Sequence, residues 1–217
     1  MKQRTINNFR SADILAGRRA SRSYGDTRTL NFFPILFMCL LSGIALPLPA
    51  WTQTPGSSPF TAVPPGTTVK GIVECGEGYT SHELYDMRVT LVEVIRGEEA
   101  WDRIKEADSS NKPADPDKEY VLARIKFEYY ARGKPGVCIH HLTPDQFTAY
   151  SANGGDYAPV SVIPPNPVLR KDLKSGDSFE GWLAFEVSKK DKAPLMSYSV
   201  NEGGAVQHSE SKWFLLR

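Results

Sequence analysis

Several chemical signatures are missing from this 217-residue sequence. Its three cysteines and four histidines follow none of the recurrent zinc-ligand spacings, which disfavours a zinc-finger type of site. No loop repeats the Asp-x-Asp-x-Asp-Gly spacing of a calcium site. The glycine pair in Asn153–Asp156 precedes proline-rich chain rather than a helix, so it predicts a turn and not a phosphate cradle. We therefore expect a protein that is not an enzyme and that needs no cofactor.

Charge is absent from a long apolar run, Phe32–Ala50. Residues 1–29 before it contain seven basic and two acidic residues, and a segment rich in Pro, Gly, Ser and Thr follows at residues 51–68. A basic head, an apolar run and a small residue at its end are typical of an export signal. We therefore expect the rest of the chain to be secreted, periplasmic or at the cell surface.

Two fates of the apolar run remain open. Its prolines disfavour a continuous membrane-spanning helix, and Ala50 offers a small residue for cleavage. Leu48, two residues earlier, is larger than the residue usual at that position. Residues 1–50 are therefore interpreted either as a cleaved export signal or as a membrane anchor. Such an anchor would be the one contact with a membrane that we expect.

The exported part has a different charge balance from the whole chain. Removing the seven basic and two acidic residues of the head leaves 19 Lys+Arg and 23 Asp+Glu, a net charge of −4. Because no basic stripe remains, nucleic acid is not an expected partner. Residues 51–217 are numerous enough for one domain with its own core. We expect a linker at 51–68 and a single domain at 69–217.

Two cysteines remain in the exported part, Cys75 and Cys138. In an oxidising compartment an even number of cysteines favours a disulfide. A domain of this size does not require such a cross-link, so two separate free thiols are the alternative.

The hydrophobic pattern predicts strands along most of the exported part. Residues alternate between apolar and polar in Glu119–Tyr130 and again in Phe179–Val187, as in strands with one buried face. Met87–Ile95 is apolar enough for a strand buried on both faces. One segment, Glu98–Ala107, changes to a helical period. Some eight or nine short strands and one short helix predict an all-β sandwich of two sheets.

The order of these motifs resembles a known family. The resemblance extends from Val69 to Leu216 and rests on six segments: Glu93–Gly97, Glu119–Ala123, the Gly176–Asp177 turn, Gly181–Val187, Leu195–Tyr198 and Trp213–Leu216. They resemble the bacterial exported immunoglobulin-like domains of unknown function to which a mycobacterial immunogenic secreted antigen is related. The resemblance implies an immunoglobulin-like sandwich and offers no catalytic residues.

One short segment combines residues capable of metal chemistry. On a strand, Cys138 and His140 would project from one face and His141 from the other. Further ligands brought near by the fold would complete a zinc or copper site: Cys75, His82 or His208. A metal-dependent site around Cys138, His140 and His141 is therefore the alternative to a protein without a cofactor. A Cys/His nucleophile would use the same residues but lacks a third, orienting group.

Four aromatic residues alternate with polar ones on outward strand faces: Tyr120, Tyr130, Tyr150 and Trp182. They predict an exposed aromatic surface for a partner. The alternative is a second core beneath the helix and the proline-rich segment 157–168. The leading hypothesis is a non-enzymatic binding or interaction module at the cell envelope, with an unknown protein or envelope ligand as its partner. A structural component of the envelope, built as a homo-oligomer, is a further alternative.

Overall fold

Two packed layers of antiparallel strands enclose one apolar core. A computed structural model describes residues 53–76, 83–133, 136–200 and 206–217, with the side chains of 206–208 excepted. The predicted export signal, residues 1–50, lies outside these described residues. The ten strands of the described residues are β1 (Thr68–Gly76), β2 (Glu83–Arg96), β3 (Lys118–Ala131), β4 (His140–Leu142), β5 (Phe147–Tyr150), β6 (Lys171–Leu173), β7 (Ser178–Ser188), β8 (Leu195–Tyr198), β9 (Val206–His208) and β10 (Lys212–Leu215). One α-helix, α1, spans Glu98–Ala107, and short 3-10 helices span Pro59–Thr61 and Pro144–Gln146.

The strands form three antiparallel sheets. The largest has the order β7-β3-β2-β1-β9, the second has the order β10-β8-β5, and β4 pairs with β6 alone. The inner faces of the five-stranded and three-stranded sheets share one core, to which β4 and β6 add Leu142 and Leu173. The predicted all-β sandwich with one short helix is confirmed.

Strict alternation explains how the central strands fill this core. Five consecutive odd-numbered side chains of β3 are buried in it: Val121, Ala123, Ile125, Phe127 and Tyr129. Leu183 and Val187 of β7 join them, as the pattern predicts. Because successive side chains point to opposite faces, the even-numbered residues of the same strands lie on the outer face of the five-stranded sheet.

The helix covers part of that outer face. It has the predicted bounds, and its ion pair between Glu99 and Arg103 measures 2.9 Å. Ala100 and Ile104 are fully buried against the sheet. After the helix, the Asn111 side-chain amide donates a 2.7 Å hydrogen bond to the carbonyl oxygen of Ile104, which satisfies one of the carbonyl groups at the helix end. A second, smaller core thus forms outside the sandwich.

The segment predicted as a linker belongs to the sandwich in its described part. Val63 is 4% exposed and pairs in parallel with Phe214. Its N–H donates to the carbonyl oxygen of Trp213 (3.1 Å), and its own carbonyl oxygen accepts from the N–H of Leu215 (2.8 Å). The pairing partner lies at the far end of the sequence, which is why composition alone suggested a linker. Within the described residues, no helix combines the length and apolarity needed to cross a membrane.

Candidate functional site

Cys75 and Cys138 form a disulfide. Cys75 ends the inner face of β1, and Cys138 lies two residues before β4, with 6.4 Å between their Cα atoms. The predicted pairing is confirmed. Neither sulfur is a thiolate in this state, so neither can act as a nucleophile or a metal ligand.

The two adjacent histidines lie in opposite environments. His140 is fully buried, stacks on Phe127 with ring centroids 5.0 Å apart, and shares a 3.1 Å hydrogen bond between its Nε2 and the hydroxyl group of Tyr198. His141 points outward and pairs with Asp172 through its Nδ1 at 2.7 Å. Strand alternation separates the two rings, as predicted.

This arrangement contradicts a metal site around Cys138, His140 and His141. The sulfur is bonded to another sulfur, and the two imidazoles face opposite sides of β4. His82 and the side chain of His208 lie outside the described residues. Among the residues that are described, no group of three or more His, Cys, Asp or Glu side chains could hold a metal ion.

Tyr85 forms a polar contact beside the disulfide that the sequence did not indicate. Its hydroxyl donates to Glu83 Oε2 (2.6 Å) and accepts from the backbone N–H of Cys138 (3.2 Å). Its ring stacks on Tyr129 at 4.5 Å. Burial and the hydrogen bond to Glu83 raise the pKa of Tyr85 to about 12. A side chain on Gly136 would overlap this hydroxyl, so Gly136 allows the segment to pack here.

Tyr120 and Trp182 do not form an exposed surface. They are 6% and 8% exposed in the second core beneath the helix. The Tyr120 hydroxyl donates to the carbonyl oxygen of Lys112 (3.0 Å), and the guanidinium groups of Arg103 and Arg124 lie 5.9 and 5.6 Å from the Trp182 ring. The prediction of exposure is wrong for these two residues, because the helix and the proline-rich segment cover them.

Tyr130 lies among charged side chains on the uncovered part of the same sheet. The guanidinium group of Arg88 lies 5.5 Å from its ring, and its hydroxyl is 3.4 Å from Glu128. Arg132 and Asp86 form an ion pair nearby at 2.7 Å. A role for Tyr130 in binding stays a prediction.

Tyr150 belongs to a different surface, the outer face of the three-stranded sheet. Its ring contacts that of Trp213 across β8, with centroids 5.1 Å apart. The outward residues of the three strands are Thr148, Tyr150, Leu195, Ser197, Trp213 and Leu215, which we call the aromatic face. None is charged. Lys212, the charged residue of β10, is buried and pairs with Glu210 at 3.3 Å.

An exposed phenylalanine lies in a loop beside this face. The N–H of Trp213 donates a hydrogen bond to the carbonyl oxygen of Gly56 (2.8 Å). After the loop, the N–H of Val63 donates one to the carbonyl oxygen of Trp213 (3.1 Å). We call residues 54–61 the Phe60 loop. Phe60 is 96% exposed, the largest value among the exposed large apolar side chains of the described residues. Sequence reasoning missed Phe60, although 41 consecutive residues without charge, 29–69, surround it.

Comparison with known proteins assigns no activity. No protein-family model matches the chain, and no curated protein matches it. The putative lipoprotein YcdA of Bacillus subtilis is similar in structure, with a TM-score of 0.43, 16% identity, and coverage of 59% of this chain and 35% of its own. The secreted protein MPT63 of Mycobacterium tuberculosis is similar with a TM-score of 0.38 and 12% identity. The match covers 66% of this chain and 92% of MPT63. Likeness at this level supports no argument about function.

Proposed function

We propose that this chain is an exported, non-enzymatic, immunoglobulin-like module that binds a component of the cell envelope through its aromatic face. The observation that supports the proposal is the uncharged outer face of the three-stranded sheet, with Phe60 exposed beside it. Charged residues make up 24% of the whole chain. Six adjacent outward positions and a neighbouring loop would therefore rarely all be uncharged by chance. Uncharged aromatic surfaces are typical of the central part of interfaces.

The positions of the cysteines and of His140 and His141 support a non-enzymatic role. The disulfide occupies both described cysteines, and His140 is enclosed by aromatic rings. Asp172 pairs with His141 on the exposed side of β4. Export is supported by the basic head and the apolar run of the sequence.

The experiment is site-specific photo-crosslinking in cells that export the full chain. Benzoylphenylalanine replaces Phe60 in one variant and Val137 in a control, since Val137 is 92% exposed and lies next to the disulfide, away from the aromatic face. The proposal predicts an adduct from position 60 and none from position 137. Adducts are identified by electrophoresis for proteins and by mass spectrometry for lipids.

The identity of the adduct separates the possible partners. A second copy of the chain would indicate the homo-oligomeric alternative, and a different protein or a lipid would indicate a binding module. Equal crosslinking from both positions, or none from position 60, would contradict binding through the aromatic face.

A further inference from the structure

The aromatic face consists of two rows of side chains that run across its three strands. The strand register places three residues in each row: Trp213, Ser197 and Thr148 in the first, and Leu215, Leu195 and Tyr150 in the second. The first row has an indole ring and two hydroxyl groups, and the second is apolar except for the Tyr150 hydroxyl. Hydrogen-bonding groups therefore lie directly beside apolar and aromatic surface.

Three of these polar groups are not used inside the protein. Within the described part of the chain, no hydrogen bond is made by the hydroxyl groups of Thr148 and Tyr150 or by the indole N–H of Trp213. All three side chains are partly exposed. The hydroxyl of Tyr157, by contrast, donates to Asp191 Oδ2 (2.8 Å). The aromatic face thus has three groups that can exchange hydrogen bonds with a ligand.

The charge of the face favours an uncharged ligand. None of its six residues is charged, although charged residues make up 24% of the chain. A charged group placed on this face would lose water without gaining an opposite charge, which is unfavourable. A ligand that carries hydroxyl groups instead of charges avoids this loss.

The size of the face favours a small ligand over a folded protein. Each of its strands has four residues, so the face extends about 14 Å along the strands and about 10 Å across them. In a specific complex of two proteins, each partner typically contributes about 800 Å², which is several times this area. The same requirement applies to a second copy of the chain. A run of a few sugar rings needs less.

A sugar ring has both of the surfaces that this face can contact. Its C–H groups form an apolar side that packs against an aromatic ring, and its hydroxyl groups donate and accept hydrogen bonds at its edge. The face offers two aromatic rings, those of Tyr150 and Trp213, with centroids 5.1 Å apart. Thr148 lies in the same row as Trp213 and next to Tyr150 along the outer side of β5.

We infer that the aromatic face binds an uncharged polysaccharide of the cell envelope, with sugar rings against Tyr150 and Trp213 and a hydrogen bond to Thr148. This inference rests on the proposed function and names its partner as a neutral glycan. The absence of charge, the small area and the three unused hydrogen-bonding groups together favour this ligand.

The test is titration of the full chain with uncharged tetrasaccharides of glucose, galactose and N-acetylglucosamine, followed by saturation-transfer NMR. At least one should bind, and its Kd should change less than about twofold between low and high salt, because no ion pair is formed. Its C6-oxidised form, with carboxylates in place of CH₂OH groups, should bind about tenfold more weakly. Binding of none of the three, or a preference for the carboxylate form, would overturn the inference.

Matched tyrosine variants locate the site. Tyr150→Ala should raise the Kd of the tetrasaccharide that binds by about tenfold, because a sugar ring loses its aromatic contact. Tyr130→Ala removes a similarly half-buried tyrosine from the outer face of the other sheet and should leave the Kd unchanged. Circular dichroism checks that both variants are folded. Equal effects of the two variants would overturn binding at the aromatic face.

A conservative variant separates hydrogen bonding from apolar contact. Thr148→Val keeps the shape of the side chain and removes only its hydroxyl group. It should raise the Kd about threefold or more, in the range of one hydrogen bond. Unchanged or tighter binding would contradict recognition of the sugar by Thr148.

Failure of this inference can be distinguished from failure of the proposed function. If position 60 crosslinks to a protein or a lipid in cells while no tetrasaccharide binds, the glycan inference fails and the proposed function stands. If position 60 yields no adduct and no tetrasaccharide binds, both fail.

Discussion

Each layer of the sandwich has an outer face with an aromatic pair, and the two pairs lie in different surroundings. Tyr120 and Trp182, outside the five-stranded sheet, are buried under α1, and two arginines lie over the Trp182 ring. Tyr150 and Trp213, outside the three-stranded sheet, contact each other and remain half-buried. Alternation along a strand therefore determines which face a side chain occupies. Whether that face becomes core or surface depends on segments distant in sequence.

Loss of the disulfide should lower the free energy of unfolding more than any change on either outer face. Replacing Cys75 and Cys138 with alanine should lower the free energy of unfolding by about 4 kcal/mol, because the bond closes a long loop in the unfolded chain. The sequence separation is 63 residues. Urea denaturation of the full chain measures the change, with the reduced wild-type protein as a control. A loss below about 1 kcal/mol would contradict the expectation.

Truncation of one tryptophan on each face compares them directly. Trp182→Ala should cost about 3 kcal/mol, since it leaves a cavity under the helix. Trp213→Ala should cost about 1 kcal/mol, since its ring is only half-buried, against Tyr150. Urea denaturation of both variants measures the difference. Equal costs would mean that the two faces do not differ in burial.

Alkaline pH should weaken the interior between the two faces. Burial raises the pKa of Tyr85 to about 12 and also raises that of Tyr129, so the folded state favours their neutral forms. Stability should be unaffected below pH 10, the ordinary value for tyrosine, and should fall as the pH rises above it. Urea denaturation from pH 8 to pH 11 measures the slope. Tyr85→Phe should make the fall shallower, and an unchanged slope would exclude Tyr85 as a cause.

The ion pair on the helix should have the smallest effect. Glu99→Gln removes an exposed contact with Arg103 and should cost about 0.5 kcal/mol or less. Ile104→Ala, on the buried side of the same helix, should cost about 2 kcal/mol or more. This pair of variants shows whether apolar packing holds the helix over Trp182. A larger loss from Glu99→Gln than from Ile104→Ala would contradict that explanation.

Local periodicity predicted the elements that it can determine. The helix Glu98–Ala107 is longer than two turns, so its helical period is visible in the sequence. The buried side of β3 was predictable because the alternation continues over many residues. The strands β6 and β9 were not predicted, because three residues are too few to show a period. The cysteine pair was predictable because the sequence predicts export, and an oxidising compartment favours a disulfide.

The candidate site was predicted only in part for a similar reason. Tyr150 followed from alternation, but its contact with Trp213 depends on how β5 and β10 flank β8. Phe60 was missed because proline, serine and threonine around it are typical of a linker. Its place beside Trp213 depends on hydrogen bonds to the opposite end of the chain.

Hydroxyl-radical footprinting of the folded full chain tests the difference between the two faces most directly. Phe60 should be oxidised fastest, Tyr150 and Trp213 more slowly, and Tyr120 and Trp182 slowest, in the order of their exposure. Each rate is compared with that of the same residue in the urea-unfolded chain. Oxidation of Trp182 as fast as that of Trp213 would contradict a covered outer face on one sheet and a half-buried aromatic face on the other.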